Sequence, residues 1–112
     1  MALKATDGDV DLLTEVVEAF LSEYPSLLAE LDEALESGNC EVVQRASHTI
    51  KGSLRLFGEV PSRSFAETLE EMGASGHLEN AAAPFQSLSA SLNLLREQLL
   101  VAIKNLNDRF SS

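Results

Sequence analysis

Residues 40–58, CEVVQRASHTIKGSLRLFG, carry the reading on which the fold turns. Val43, Ala46, Ile50, Leu54 and Phe57 recur at steps of three and four, the spacing of one helix face. The stretch lacks the period-two alternation of a half-buried strand, and Gly58 stops it. It reads as an amphipathic helix.

The same rhythm continues on both sides. Upstream, Val10, Leu13, Val17, Phe20, Tyr24, Leu27, Leu31 and Ala34 form a stripe that Pro25 interrupts. A proline inside a helix costs ~3 kcal/mol and removes a backbone hydrogen bond, so the first helical stretch is expected to be split or kinked at Pro25. Gly38 then suits a left-handed C-terminal cap, and Asn39 suits the N-cap of the next helix. Downstream, Pro61 sits in the first turn of a third helix that buries Phe65, Leu69 and Met72. The run Gly73-Ala74-Ser75-Gly76 is expected to break it. The last helix carries Phe85, Leu88, Leu92, Leu95, Leu99, Ala102 and Leu106, with Asn80 as the expected cap and Pro84 early enough to be tolerated. Long amphipathic helices on short loops pack as antiparallel neighbours. The predicted fold is all-α, an up-down-up-down antiparallel four-helix bundle over residues 9–108, with residues 1–8 and 109–112 as loose termini.

Composition narrows the function. The 112 residues are 45% hydrophobic and 23% charged, as in one globular domain. Eight Lys and Arg stand against 18 Asp and Glu, a net charge of −10, which argues against nucleic acid as a partner. The single cysteine, Cys40, excludes an internal disulfide framework and a cysteine-rich zinc site. It sits at a helix start without a catalytic companion. His77 lies in a glycine-rich connection without a metal-ligand partner and reads as a loop residue. No apolar run approaches the ~20 residues of a membrane span, and residues 1–20 lack a signal-peptide pattern. The expectation is a cytoplasmic, monomeric domain without membrane insertion, metal or cofactor.

His48 is the residue that breaks the pattern. At about 100° per residue, Ala46 and Ile50 lie within about 40° of each other on the core stripe, and His48 points away from both. Around it on the outer face stand Gln44, Arg45, Lys51, Gly52 and Arg55. Gly52 inside a helix costs ~1 kcal/mol relative to Ala, and its bare position one turn after His48 leaves the imidazole open to an incoming surface. From Val42 to Ala66 the four cations Arg45, Lys51, Arg55 and Arg63 meet the single acid Glu59. Residues 1–41, by contrast, hold eleven acids and only Lys4. An exposed imidazole among cations suits an anion or a phosphoryl group. The same residues also fit an ordinary surface histidine, with Gly52 admitting another helix and with Lys51 and Arg55 paired to Glu41 and Glu59.

The run Arg45-Ala46-Ser47-His48-Thr49-Ile50-Lys51-Gly52-Ser53, followed by Leu56-Phe57-Gly58, closely resembles the signature of histidine phosphotransfer (HPt) domains. Phe20, the Ala34-to-Asn39 break and the pair Leu69-Glu70 extend the resemblance over about residues 9–106. It implies a phosphorelay intermediate in which His48 accepts a phosphoryl group from a receiver-domain phospho-aspartate and passes it to another receiver aspartate. Lys51 would steady the phosphoryl oxygens, Gly52 would admit the receiver, and Gln44, Arg45 and Arg55 would belong to the docking face. Mg²⁺ is expected on the receiver. Ser53 fits the motif but lies about 140° from His48 and reads as a packing or hydrogen-bonding residue. In an antiparallel pair Glu70 falls near the level of His48 and would orient its ring, although Glu67, Glu70 and Glu71 all fit a solvated face as well. The Leu54-Arg55-Leu56-Phe57 segment is bulkier than the pattern usually has, which bears on partner choice.

A carrier of this kind has no kinase activity of its own, and it occurs either alone or as a domain of a hybrid sensor histidine kinase. Two other readings use the same surface. One is a non-catalytic bundle that docks a receiver or kinase. The other is the phosphoacceptor domain of a chemotaxis-type histidine kinase.

Overall fold

The computed structural model describes residues 10–110. Among them are four α-helices and no strand: α1 (Val10–Ser37), α2 (Cys40–Leu54), α3 (Pro61–Ser75) and α4 (Ala82–Phe110). A single 3₁₀ turn, Arg55–Phe57, follows α2. The expected boundary at residue 108 falls inside α4, which continues to Phe110. Residues 1–8 and 111–112 of the expected loose termini lie outside the described residues.

The core follows the stripes read from the sequence, with Ala66 and Ala81 added and Ala102 only partly buried; the side chain of Val10 lies outside the described residues. Leu13, Val17, Phe20, Tyr24, Leu31 and Ala34 of α1 are buried with Val43, Ala46, Ile50 and Leu54 of α2. Ala66 and Leu69 of α3 and Leu88, Leu92, Leu95 and Leu99 of α4 complete the cluster. Leu27, Phe65, Met72, Phe85 and Leu106 are half-buried against it. Phe20 stacks on Tyr24 at 5.3 Å and meets the edge of Phe57 at 5.0 Å, which pins the 3₁₀ turn to α1.

Of the split or kink expected at Pro25, the split is not present: α1 is one continuous 28-residue helix with Pro25 inside it. Phe20 and Tyr24 before Pro25 and Leu31 and Ala34 after it are buried in the same core. That shared apolar stripe offsets the backbone hydrogen bond that proline cannot make. Gly38, at φ +73°, then reverses the chain, and the Asn39 side chain accepts from the Val42 N–H at 3.2 Å. Both capping expectations hold at this junction.

Two other expectations are corrected. The break after Met72 is later than predicted, because Gly73, Ala74 and Ser75 remain in α3 and Gly76, at φ +79°, is the cap. Gly73 is buried, and a Cβ there would stand 2.6 Å from the Gln44 backbone N and 2.8 Å from the Cys40 carbonyl O. Its role is to let α2 and α3 touch backbone to backbone. At the start of α4 the cap position belongs to buried Ala81, whose carbonyl accepts from the Phe85 N–H at 3.0 Å, and not to Asn80.

Helices adjacent in sequence pack on each other, and α4 returns to α1. Gly73 near the end of α3 lies against Cys40 and Gln44 at the start of α2, while mid-helix His48 faces Glu70. This pair is therefore antiparallel. At 1.5 Å per residue α1 and α4 are each about 42–44 Å long and α2 and α3 about 22 Å. The result is an elongated body of 53 × 20 × 20 Å, in which the two short helices cover part of the long pair.

Candidate functional site

The outward reading of His48 is correct. Ala46 and Ile50 are buried on either side of it, and its own side chain is 63% exposed. The ring is nonetheless held. Nδ1 lies 2.7 Å from Glu70 Oε2 on α3, and the other oxygen of that carboxylate lies 2.5 Å from Lys51 Nζ. One glutamate thus bridges two residues that sit one turn apart on α2.

The bridge bears on which nitrogen of a neutral ring carries the proton. Lys51 beside Glu70, and then the hydrogen bond from His48, hold the Glu70 carboxyl below its ordinary value against the opposing effect of burial. An ionised carboxylate can only accept, so the proton of the neutral imidazole resides on Nδ1 and the lone pair on Nε2. Among the described residues no hydrogen bond engages Nε2. In its neutral form the exposed ring therefore turns the Nε2 lone pair to solvent, with its opposite edge held by Glu70.

Geometry separates Glu70, the expected ring-orienting residue, from Glu67 and Glu71. Glu70 has a side chain only 18% exposed and reaches α2, whereas Glu67 and Glu71 are exposed. Antiparallel packing brings Glu70 to the level of His48, and the close approach of the helices that Gly73 permits puts its carboxylate within reach.

The predicted cations are distributed differently from a simple ring around His48. Lys51 is largely covered and engaged with Glu70, so in this state it steadies the glutamate. Arg45 turns toward α1, where its Nη2 meets Glu30 Oε1 at 2.6 Å. Arg55 is exposed in the 3₁₀ turn rather than on the helix, and Gln44 is exposed one turn before His48. The Ser53 hydroxyl donates to the Thr49 carbonyl at 3.1 Å, a local helix contact as expected.

Gly52 stands in open space: a Cβ there would meet nothing within 4 Å. Among the described residues no helix packs on it, so none of α1, α3 and α4 explains that glycine by internal packing. Leu56, 38% exposed in the adjoining turn, adds an apolar residue that the sequence reading left unassigned. Sequence also gave no sign of Ser47, whose hydroxyl is buried beside His48 without a hydrogen-bond partner. Among the described residues no group of His, Cys, Asp and Glu is placed to hold a metal ion. No helix there is long and apolar enough to cross a membrane.

The sequence profile of the Hpt domain family matches residues 15–106. The crystal structure of histidine-containing phosphotransfer protein B from Pseudomonas aeruginosa superposes with a TM-score of 0.76 at 22% identity, covering 89% of this chain and 84% of that one. At that identity the likeness bears on the fold. No curated protein matches the chain significantly.

Proposed function

Because the chain belongs to the Hpt domain family and so serves histidine phosphotransfer in phosphorelays, we propose that His48 is its phosphoacceptor and that its partners are the receiver domains of response regulators. The observation that carries this reading is the Glu70 carboxylate on Nδ1 of an exposed histidine.

The step follows from that geometry. The Nε2 lone pair attacks the phosphorus of a receiver aspartyl phosphate in line, forming the N–P bond as the P–O bond to the aspartate breaks. The aspartate leaves as a carboxylate. The imidazole gains positive charge while keeping its Nδ1 proton, and Glu70 faces that charge directly. Transfer to a second receiver is the same step reversed. Phosphoryl transfer asks mainly for alignment and charge compensation, so a carrier needs little beyond a positioned ring and an open approach. Gly52 provides the approach, and exposed Gln44, Arg55 and Leu56 border it. The metal ion would sit on the receiver, and the protein would act in the cytoplasm as a carrier without kinase activity.

The test is incubation with a receiver carrying labelled phosphate. Label should appear on the protein as an acid-labile, base-stable adduct and should vanish in His48→Gln. Label that persists in that variant would remove His48 from the mechanism.

A further inference from the structure

Where α1 ends and α4 begins, a cleft of about 360 Å³ opens in the surface. Its floor is apolar: Leu35, Leu78 and Phe85 are half-buried and pack outward from the core. Its rim is acidic, formed by exposed Asp32, Glu36 and Glu79. None of its lining residues belongs to α2 or α3, the helices of the His48 site.

The charge around it is one-sided. The chain has no Lys or Arg between Ala5 and Gln44 or between Ser64 and Leu95, and these two stretches supply every lining residue. The single nearby group able to become cationic is exposed His77, whose Nδ1 lies 3.8 Å from Glu79 Oε1. Asp32 and Glu36 also fall in the closing turns of α1, which carry no basic residue. Carboxylates at the negative end of a helix dipole are unfavourable for the helix itself. Among the described residues neither forms an ion pair within the chain. An apolar floor inside an uncompensated acidic rim is complementary to a basic, amphipathic surface.

We propose that this cleft docks a basic amphipathic segment of a partner protein. Its Lys or Arg side chains meet Asp32, Glu36 and Glu79, and one bulky apolar side chain rests on Leu35, Leu78 and Phe85. Because the cleft is built from α1, α4 and their neighbouring connection, the α2–α3 face stays open while the segment is bound.

The probe is a short fluorescein-labelled amphipathic peptide of Lys and Leu, titrated into the full chain and followed by anisotropy, with amide chemical shifts mapped in parallel. Saturable binding is expected, with the largest shifts at Leu35, Leu78 and Phe85. Charge reversal by D32K, E36K and E79K together should weaken binding about tenfold. The equal reversal E15K, E18K and E23K, at exposed positions earlier on α1, should change it less than about twofold. Circular dichroism confirms that both variants fold. Equal weakening by the two triples, shifts centred elsewhere, or equal binding of a Glu–Leu peptide would each overturn the proposal.

Discussion

Glu70 on α3 lies with Oε2 2.7 Å from Nδ1 of His48 on α2, accepting from the Nδ1–H of the neutral ring, while its other oxygen holds Lys51. The carboxylate therefore fixes which ring nitrogen is free to react. A histidine without it would rotate and exchange tautomers, and only part of the population would present Nε2. Glu70→Ala is expected to slow phosphotransfer from a receiver by about tenfold, or ~1.4 kcal/mol. Glu70→Gln should retain part of the rate, since its amide oxygen still accepts. Nitrogen chemical shifts of the His48 ring should show the Nδ1-protonated tautomer losing its dominance in Glu70→Ala. Unchanged shifts and rate would remove the positioning role.

Acid should loosen the same bridge. The folded state holds the Glu70 carboxyl below its ordinary value, chiefly through Lys51. A carboxyl with a depressed folded value contributes stability that is present above its unfolded value and is lost as pH falls through the folded one. Urea midpoints measured through the acid range should therefore fall less steeply for Glu70→Gln than for the parent. Parallel slopes would show that Glu70 does not contribute.

The two glycines inside α2 and α3 should respond oppositely to alanine. At Gly73 the new methyl would stand 2.6 Å from backbone that cannot swing away, so α2 and α3 must separate. A loss of about 1–3 kcal/mol is expected from urea unfolding, together with a weaker His48–Glu70 contact. At Gly52 nothing lies within 4 Å. Alanine there should stabilise the helix by up to ~1 kcal/mol and still weaken receiver docking, measured by titration calorimetry.

Ser47 offers a test of core quality. Its hydroxyl is fully buried and unpartnered, and such a group carries a desolvation penalty of about 1–3 kcal/mol. Ser47→Ala removes the hydroxyl and should raise the thermal midpoint. A clear fall in that midpoint would reveal an interaction of the hydroxyl that the static structure does not contain.

Helix number, core membership and the outward direction of His48 were legible in the sequence. Each depends on residues within one or two turns, and a 3.6-residue period reports those directly. Reading failed where a local signal had a distant cause or competitor. Pro25 looked like a break, yet α1 is continuous, with Phe20, Tyr24, Leu31 and Ala34 buried in the same core. Gly73 looked like part of a terminator, yet its reason lies across the interface at Gln44. Arg45 seemed one of the cations facing His48, and its partner Glu30 lies fifteen residues away on α1.

Four amphipathic helices and an exposed histidine beside a bare glycine in a locally basic window can be read from residue order alone. Tertiary contacts bring Glu70, singled out by its level along α3, onto that histidine, and they show which cations are already engaged. The physical reason is that periodicity specifies the angle of a side chain about its own helix axis. It does not specify how closely two axes approach, and here that distance is set by a glycine on the neighbouring helix, twenty-five residues from His48.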